Sequence, residues 1–499
     1  MKNKFRGASA DAILLMIIKL VTILLGLTVT RLLSQYLSVY DYGSYSQILL
    51  IVSTAASVTI LGMMDGVNYF YCSEKDPSKR ESYISTIFAL QSVVGIVAGC
   101  VIMALSTPLC KYFDNPGIRS LMIFAASLPL MQNLLGMFQI LIVSVGRARM
   151  LAFRNLIVSL VRLAAVFVVV LVIQNVAVIL AVTLVMDIAQ IVFFAVILAR
   201  SGCPIGFRAV DMRLFKRILF YCAPMAVFTV INTLNRDLDK YLVSALTDTE
   251  TLAIYANASK MLPFDIIMTS FCTVLLPEIT RLVSSGEKKG AASLYRYFLE
   301  ISYISTSILC CAAIAASPQL MELLYSEKYL SGLSVFCIYI LVDLLRFTNI
   351  TLILSAAGKT ATLMIIGAGA LGLNALLNII LYDLIGLIGP AAATLVTTAV
   401  MGAVLIFLGG RELGAKSGDF FDKRFLIIFI CENLLLTPAL FTAQRLLADL
   451  GVNYFVILVA VCSVYAAVMF LLNGRRLISD LKEVNRAAKS SKSTVVSRG

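Results

Sequence analysis

Apolar residues in this chain run in long blocks, not in alternation with polar ones. Fourteen blocks stand out, near 10–31, 44–70, 83–106, 118–143, 151–173, 176–199, 214–244, 251–280, 294–317, 333–356, 361–382, 386–409, 424–446 and 452–473. Each is long enough to cross about 30 Å of hydrocarbon as a helix. Ten-residue alternating segments, the mark of a membrane β-barrel, are absent. The pattern therefore predicts an all-α polytopic membrane protein with about 14 transmembrane helices. The closest boundary is "QN" (Gln174, Asn175), which alone separates 151–173 from 176–199.

Composition agrees. The chain is 60% hydrophobic and 14% charged, against about 25% charged in a soluble domain. The net charge of +13 would suggest nucleic acid in a soluble protein. Here its distribution gives another reason. With the N-terminus inside, most of the 41 Lys and Arg fall in inward segments: 2–6, 200–217, 281–290 and the tail after Asn473. Lys111, Arg119 and Lys328 are the basic residues of the outward loops. That bias is the positive-inside rule, places both termini in the cytoplasm, and removes the need for a nucleic-acid partner. Lys19 interrupts the first apolar block and no A-x-A site follows, so a retained first helix is expected in place of a signal peptide. The tail from 474 to 499 is basic and solvated, with affinity for anionic lipid.

The chain has no histidine, which removes His acid–base chemistry, His metal ligation and His pH switching. Its eleven cysteines are scattered without CxxC spacing and read as small buried hydrophobes. Neither a metal nor a cofactor is expected.

Two stretches echo each other six blocks apart. "RLLSQYLSVYDYGSYSQ" (31–47) and "KYLVSALTDTETLAIYANA" (240–258) each carry a basic residue, an acidic turn and a tyrosine, Tyr45 or Tyr255, opening the next helix. "SVGRA" (144–148) and "SAAGKTA" (355–361) repeat the same offset. An even offset keeps the direction through the membrane. It predicts two pseudo-symmetric six-helix lobes, 1–199 and 214–410, joined by a cytoplasmic linker at 200–213. Two extra C-terminal helices follow within 411–473. Parallel repeats of this kind bind substrate near the midplane between lobes.

Charged side chains inside the blocks are costly, about 2.5–3.5 kcal/mol each on insertion scales, and usually face a cavity or a partner. Block 7 carries Arg236, Asp237, Asp239 and Lys240 within five residues. Arg236 and Lys240 share a helix face at i,i+4, with Asp239 beside them and Asn232 one turn earlier. Lys19, Arg31, Lys260 and Arg346 bring further basic groups, and Asn374 and Asn378 form another i,i+4 pair. Asp65, Arg162, Asp187 and Asp383 complete the charges in or at the ends of blocks. Together these residues predict a wet, cationic cavity for an anionic guest such as phosphate or pyrophosphate. Internal pairing is the alternative: Arg236 with Asp239, Asp343 with Arg346, and Asp237 or Asp265 as interhelix partners. Arg31 and Lys240 also lie where long side chains snorkel to the interface. Pro263 and Pro277 bracket block 8 and are candidate kinks.

"RLLSQYLSVYDYGSYSQILLI", "APMAVFTVINTLNRDLDKYLVSALTDTETLAIYANASKM", "LLPEITRL" and "SVGRARM" resemble the signatures of O-antigen and capsule repeat-unit flippases. Their relatives are the lipid II flippases and stage V sporulation protein B, within the multidrug/oligosaccharidyl-lipid/polysaccharide exporter superfamily. The likeness covers about residues 1–410. It implies two six-helix bundles around a cavity open to alternate sides. It also implies an undecaprenyl-pyrophosphate-linked saccharide moved from the inner to the outer leaflet of a bacterial or archaeal cell membrane. Lys19, Arg31, Arg236 and Lys260 match the family's cationic cavity positions. Lipid II relatives carry arginines on span 1, where this chain has Lys19.

A transporter, not an enzyme, is thus expected: a lipid-linked oligosaccharide flippase, acting as a monomer beside membrane lipid and glycan polymerase or glycosyltransferase machinery. No GxxxxGK[ST] loop is present, so the drive is an ion gradient, membrane potential or substrate flux. Asp65 and Asp265 are the candidates for cation coupling. The alternative is a multidrug cation antiporter of the same superfamily, against which the basic excess argues. A membrane polymerase or glycosyltransferase would need a sizeable outer loop with paired carboxylates, which the sequence lacks.

Overall fold

A computed structural model describes residues 2–145, 147–200, 205, 209–349 and 351–496. Among them there is helix and no strand, as the bilayer requires. A helix satisfies every backbone N–H and C=O within its own segment, where lipid offers no partner. Among the described residues, twelve helices are long and apolar enough to cross a membrane, or thirteen if one bent pair is a single span. The chain is a multi-pass membrane protein. By its internal contacts it divides into two units, Met1–Ala256 with Leu324–Ser326, and Asn257–Leu323 with Glu327–Gly499.

The first unit holds α1 (Lys2–Tyr36), α2 (Val39–Thr59), α3 (Met63–Ser73), α4 (Pro77–Ala104) and α5 (Ser106–Tyr112). It continues with α6 (Met122–Ser144), α7 (Ala148–Val172), α8 (Val176–Arg200), α9 (Phe215–Leu246) and most of α10 (Thr249–Ala258). Ser38 caps α2: its hydroxyl accepts from the Asp41 N–H at 3.0 Å and donates to the Asp41 carboxylate at 2.6 Å. Asp76 caps α4 ahead of Pro77, whose missing N–H costs nothing at a helix start. Gln174 takes φ +49 in the tight turn between α7 and α8, as the "QN" boundary predicts. Helix α6 is the centre of the unit, packed on α2, α3, α4 and α8, while α1 lies along α7.

The second block, expected at 44–70, is bent by 40° between α2 and α3. Leu61 and Gly62 both take positive φ there. Gly62 and Gly66 stand four apart on one face, the spacing that lets helix backbones approach in a membrane. A Cβ at Gly62 would collide with the Cys222 carbonyl of α9, and one at Gly66 would lie 2.7 Å from the Cys222 Sγ. At the other end of α2, the Gly43 backbone lies against Thr249 of α10, where a Cβ would collide with the Thr249 carbonyl. The two echoing segments therefore touch. Their tyrosines, Tyr45 and Tyr255, are both buried.

The second unit holds α11 (Ile266–Ser284), α12 (Lys288–Ala315), α13 (Ser317–Tyr325, its end in the first unit), α14 (Leu333–Leu345) and α15 (Leu352–Ala356). It ends with α16 (Thr360–Ile385), α17 (Ile388–Leu413), α18 (Lys423–Asp449) and α19 (Tyr454–Val496). Helix α12 is its core, packed on α11, α14, α18 and α19. Arg476 of α19 donates to Glu300 of α12 and, at 3.0 Å, to Asp422, and its guanidinium lies 3.9 Å from the Phe425 ring centre. This clamp joins the two C-terminal helices to α12.

The difference from fourteen expected spans lies at 251–280. That block is not one helix: α10 ends at Ala258, a 3-10 turn spans Pro263–Asp265, and α11 begins at Ile266. Pro263 has no N–H and disfavours helix in the residue before it. The Leu262 N–H left over by the break is taken by the Asp343 Oδ2 of α14 at 2.9 Å. The second helix of each echoing half is thus interrupted, the first by left-handed backbone and the second by proline.

Gly62→Val adds a clash against Cys222 and a β-branched residue at positive φ. It is expected to cost about 2–4 kcal/mol and to lower the thermal unfolding midpoint in detergent by several degrees. Gly26→Ala, where a Cβ meets nothing within 4 Å, is expected to leave that midpoint unchanged or slightly raised.

Candidate functional site

The charge cluster of α9 is organised around Asp237. This carboxylate is buried, while the Arg236 side chain is 53% exposed and that of Lys240 17%. Asp237 Oδ2 accepts from Arg236 Nη2 at 3.0 Å, and its Oδ1 accepts from Lys240 Nζ at 2.9 Å. Ser53 of α2 donates to the same carboxylate at 3.3 Å. Two cations therefore share one acid. With Asp239 the four charges of this segment sum to zero, and the Arg236 fork is the exposed part of the cluster. Asn232, also exposed, continues that face one turn earlier.

A hydroxyl ladder holds α9 against α2 beside this cluster. The Tyr241 O–H donates to the Leu50 carbonyl at 2.9 Å, and the Thr54 and Tyr241 hydroxyl oxygens lie 2.6 Å apart. The Tyr241 proton is committed to Leu50, so Thr54 is the donor in that pair. Tyr112 donates to the Tyr241 carbonyl at 3.0 Å. Gln47 bridges to Thr249 at 3.4 Å and to the Phe113 carbonyl at 3.3 Å. Next to the ladder a crevice of about 760 Å³ opens between α2 and α4. Its walls are apolar, with Val58, Val97 and Leu105 among them, and Thr54, Thr59, Tyr112 and Tyr241 are its hydroxyl-bearing residues.

Asp239, expected beside Arg236, turns the other way. It is 1% exposed and accepts from the Tyr255 O–H at 2.9 Å and the Lys240 N–H at 2.9 Å. Its role is to fasten α10 to α9. The expected Arg236–Asp239 pair is replaced by Arg236–Asp237, because Asp237 is on the side of α9 that faces Ser53.

The other expected residues are spread over both units. In the first, Lys19 is exposed on α1, Arg31 is half-buried at its far end, and Asp65 is exposed in the first turn of α3. In the second, Lys260 is exposed at the break after α10. Arg346 pairs with Asp343 at 3.2 Å, the i,i+3 partner that the spacing allowed, and the same Asp343 holds the Leu262 N–H. Asn374 and Asn378 are buried together on α16: the Asn378 amide donates to Asn374 Oδ1 at 2.6 Å, and the Asn374 amide to Thr394 of α17 at 3.4 Å. The Asp265 side chain lies outside the described residues. No group of three or more metal-ligating side chains is found among the described residues. Sequence reasoning passed over Ser53 and Tyr241, and named Tyr255 without the bond it makes to Asp239. The signal for Tyr255 was the echo that aligned it with Tyr45.

Comparison with known proteins gives three results. The family model described as "Polysaccharide biosynthesis protein" matches residues 29–333, more than half of the chain. A probable lipid II flippase MurJ of Rhizobium meliloti (strain 1021) is 24% identical over 332 residues, 62% of this chain and 62% of that protein. The match therefore spans about three fifths of that relative's length. Among solved structures, lipid II flippase MurJ in an inward closed conformation superposes with a TM-score of 0.69 at 17% identity, covering 93% of this chain and all of that one. An inward-facing multidrug resistance MATE family transporter of the MOP superfamily gives 0.66 at 13% identity, over 79% of this chain and 94% of that one. The fold is shared with both.

Tyr255→Phe removes a donor from the buried Asp239 carboxylate. Hydrogen bonds to charged groups are worth about 1.5–3 kcal/mol, so a loss of that size is expected in unfolding experiments in detergent. A smaller loss than about 0.5 kcal/mol would mean the bond does not fasten α10.

Proposed function

Because the chain belongs to the polysaccharide biosynthesis protein family, we propose that it carries an anionic, polyprenyl-linked saccharide from the inner to the outer leaflet. The substrate class is an undecaprenyl-pyrophosphate-linked oligosaccharide or cell-envelope precursor, and lipid II falls within that description. The protein acts as a carrier that exposes its site to alternate faces of the membrane. It makes and breaks no covalent bond.

One observation carries this reading: two cations of α9 converge on the Asp237 carboxylate, with the Arg236 fork exposed. An exposed guanidinium binds pyrophosphate oxygens through paired N–H donors, and Lys240 adds a point charge. Asp237 keeps both side chains extended toward the same face. A long apolar tail needs hydrocarbon surroundings throughout the crossing, and the crevice between α2 and α4 offers an apolar wall beside the cluster. Lys19, Arg31, Lys260 and Arg346 are proposed as further anion contacts, Asn232 as a further substrate contact, and Asp65 and Asp265 as coupling acids, while the buried Asn374–Asn378 pair would reach substrate only after α16 and α17 separate. An ion gradient or the membrane potential drives the cycle. One elementary charge moved across 100 mV yields about 2.3 kcal/mol, enough to bias a carrier that returns with a different charge. The exposed Arg236 guanidinium disfavours the alternative, a multidrug cation antiporter, because an organic cation would meet repulsion there.

Arg236→Ala is expected to lower flipping about ten-fold or more, the equivalent of about 1.4 kcal/mol, with membrane expression intact. Arg236→Lys is expected to recover part of the rate. Lys19→Ala is expected to lower flipping as well. Wild-type flipping in both alanine variants would remove the assignment.

A further inference from the structure

Helices α7 and α8 run antiparallel and enclose a polar seam that the proposed function leaves unused. Arg154 and Arg162 stand eight residues apart on α7, about 12 Å along the axis. Asp187, Gln190 and Phe194 share one face of α8 at i, i+3 and i+7. Arg154 is only 8% exposed and Asp187 9%. The Arg154 guanidinium lies 4.7 Å from the Phe194 ring centre, and its Nη1 donates to Asn155 Oδ1 at 2.7 Å. Gln190 donates to Asp187 at 3.4 Å. Asp187 is within electrostatic reach of both arginines.

The donors outnumber the acceptors. Arg154 Nε and Nη2 and Arg162 Nε are buried and have no hydrogen-bond partner among the described residues. Neither arginine forms a direct ion pair among those residues. Helix α6, which packs on α8, has no ionisable side chain over Met122–Ser144. Among the described residues, three N–H groups thus lack acceptors and two cations face one acid. Each deficit is expensive in lipid. A water molecule would supply an acceptor and leave the charge. A monovalent anion supplies both. We propose that Arg154 and Arg162, with Asp187 and Gln190 at its rim, form a buried binding site for a small inorganic anion of the halide class.

The test uses full-length protein purified in detergent, with thermal unfolding followed in sodium chloride or bromide and in sodium gluconate at equal ionic strength. A ligand that binds only the folded state raises the midpoint. A saturable rise of about 2 °C or more is expected with either halide. Arg154→Gln is expected to abolish it and Arg154→Lys to retain part of it. Arg147→Gln, at an exposed position before α7, is expected to respond as wild type. Equal midpoints in halide and gluconate would overturn the proposal, as would an undiminished halide response in both Arg154→Gln and Arg162→Gln. If Arg154→Gln does not fold, anomalous scattering from bromide in wild-type crystals decides. A peak between α7 and α8 supports the site, and no peak there refutes it.

Discussion

A bilayer interior supplies neither hydrogen-bond partners nor screening charge, so each polar group placed there must be answered by another part of the same chain. That constraint explains the points at which this protein departs from plain apolar helices. Asp237 answers Arg236, Lys240 and Ser53 at once. Tyr255 and the Lys240 N–H answer Asp239. Where α10 stops short of α11, the freed Leu262 N–H finds Asp343, which Arg346 holds in turn. The polar groups form local circuits, and the circuits determine which helices stay together.

The exposed arm of the Asp237 circuit is what gives the fold a chemistry. The Asp237 carboxylate between two cations fixes their positions and leaves the Arg236 fork exposed. An exposed guanidinium held in place by one carboxylate suits an anion that binds and leaves. Beside it, the ladder of Tyr241, Thr54, Leu50 and Tyr112 holds α2 to α9 through hydroxyl contacts. The Gly62–Gly66 face brings α3 against the same helix at Cys222. Helix α9 is therefore gripped at two levels within its unit, with the charged residues near the hydroxyl level.

Much of this was legible in the residue order. Apolar blocks gave the helical spans, because a membrane helix must be apolar along its length. Gln174 and Asn175 marked a turn that the structure contains. The i,i+4 relation of Arg236 and Lys240 held, since it follows from helix geometry alone. Their acid was less legible: Asp237 and Asp239 are both within reach in sequence, and the choice depends on how α9 is rotated against α2 and α10. The same holds for Tyr241 and Ser53, whose meaning comes from a helix almost two hundred residues away. The interruption at Pro263 was hinted at by the proline, but its cost becomes bearable only through Asp343, which no local pattern connects to Leu262.

The most direct measurement is leaflet exchange in proteoliposomes. A fluorescent polyprenyl-pyrophosphate saccharide is placed in both leaflets, and a membrane-impermeant quencher is added outside under an imposed membrane potential. The account predicts that the protein makes the protected inner pool accessible much faster than protein-free vesicles do, and that inorganic pyrophosphate slows the exchange. Exchange no faster than in protein-free vesicles, together with uptake of an organic cation by the same preparation, would contradict it.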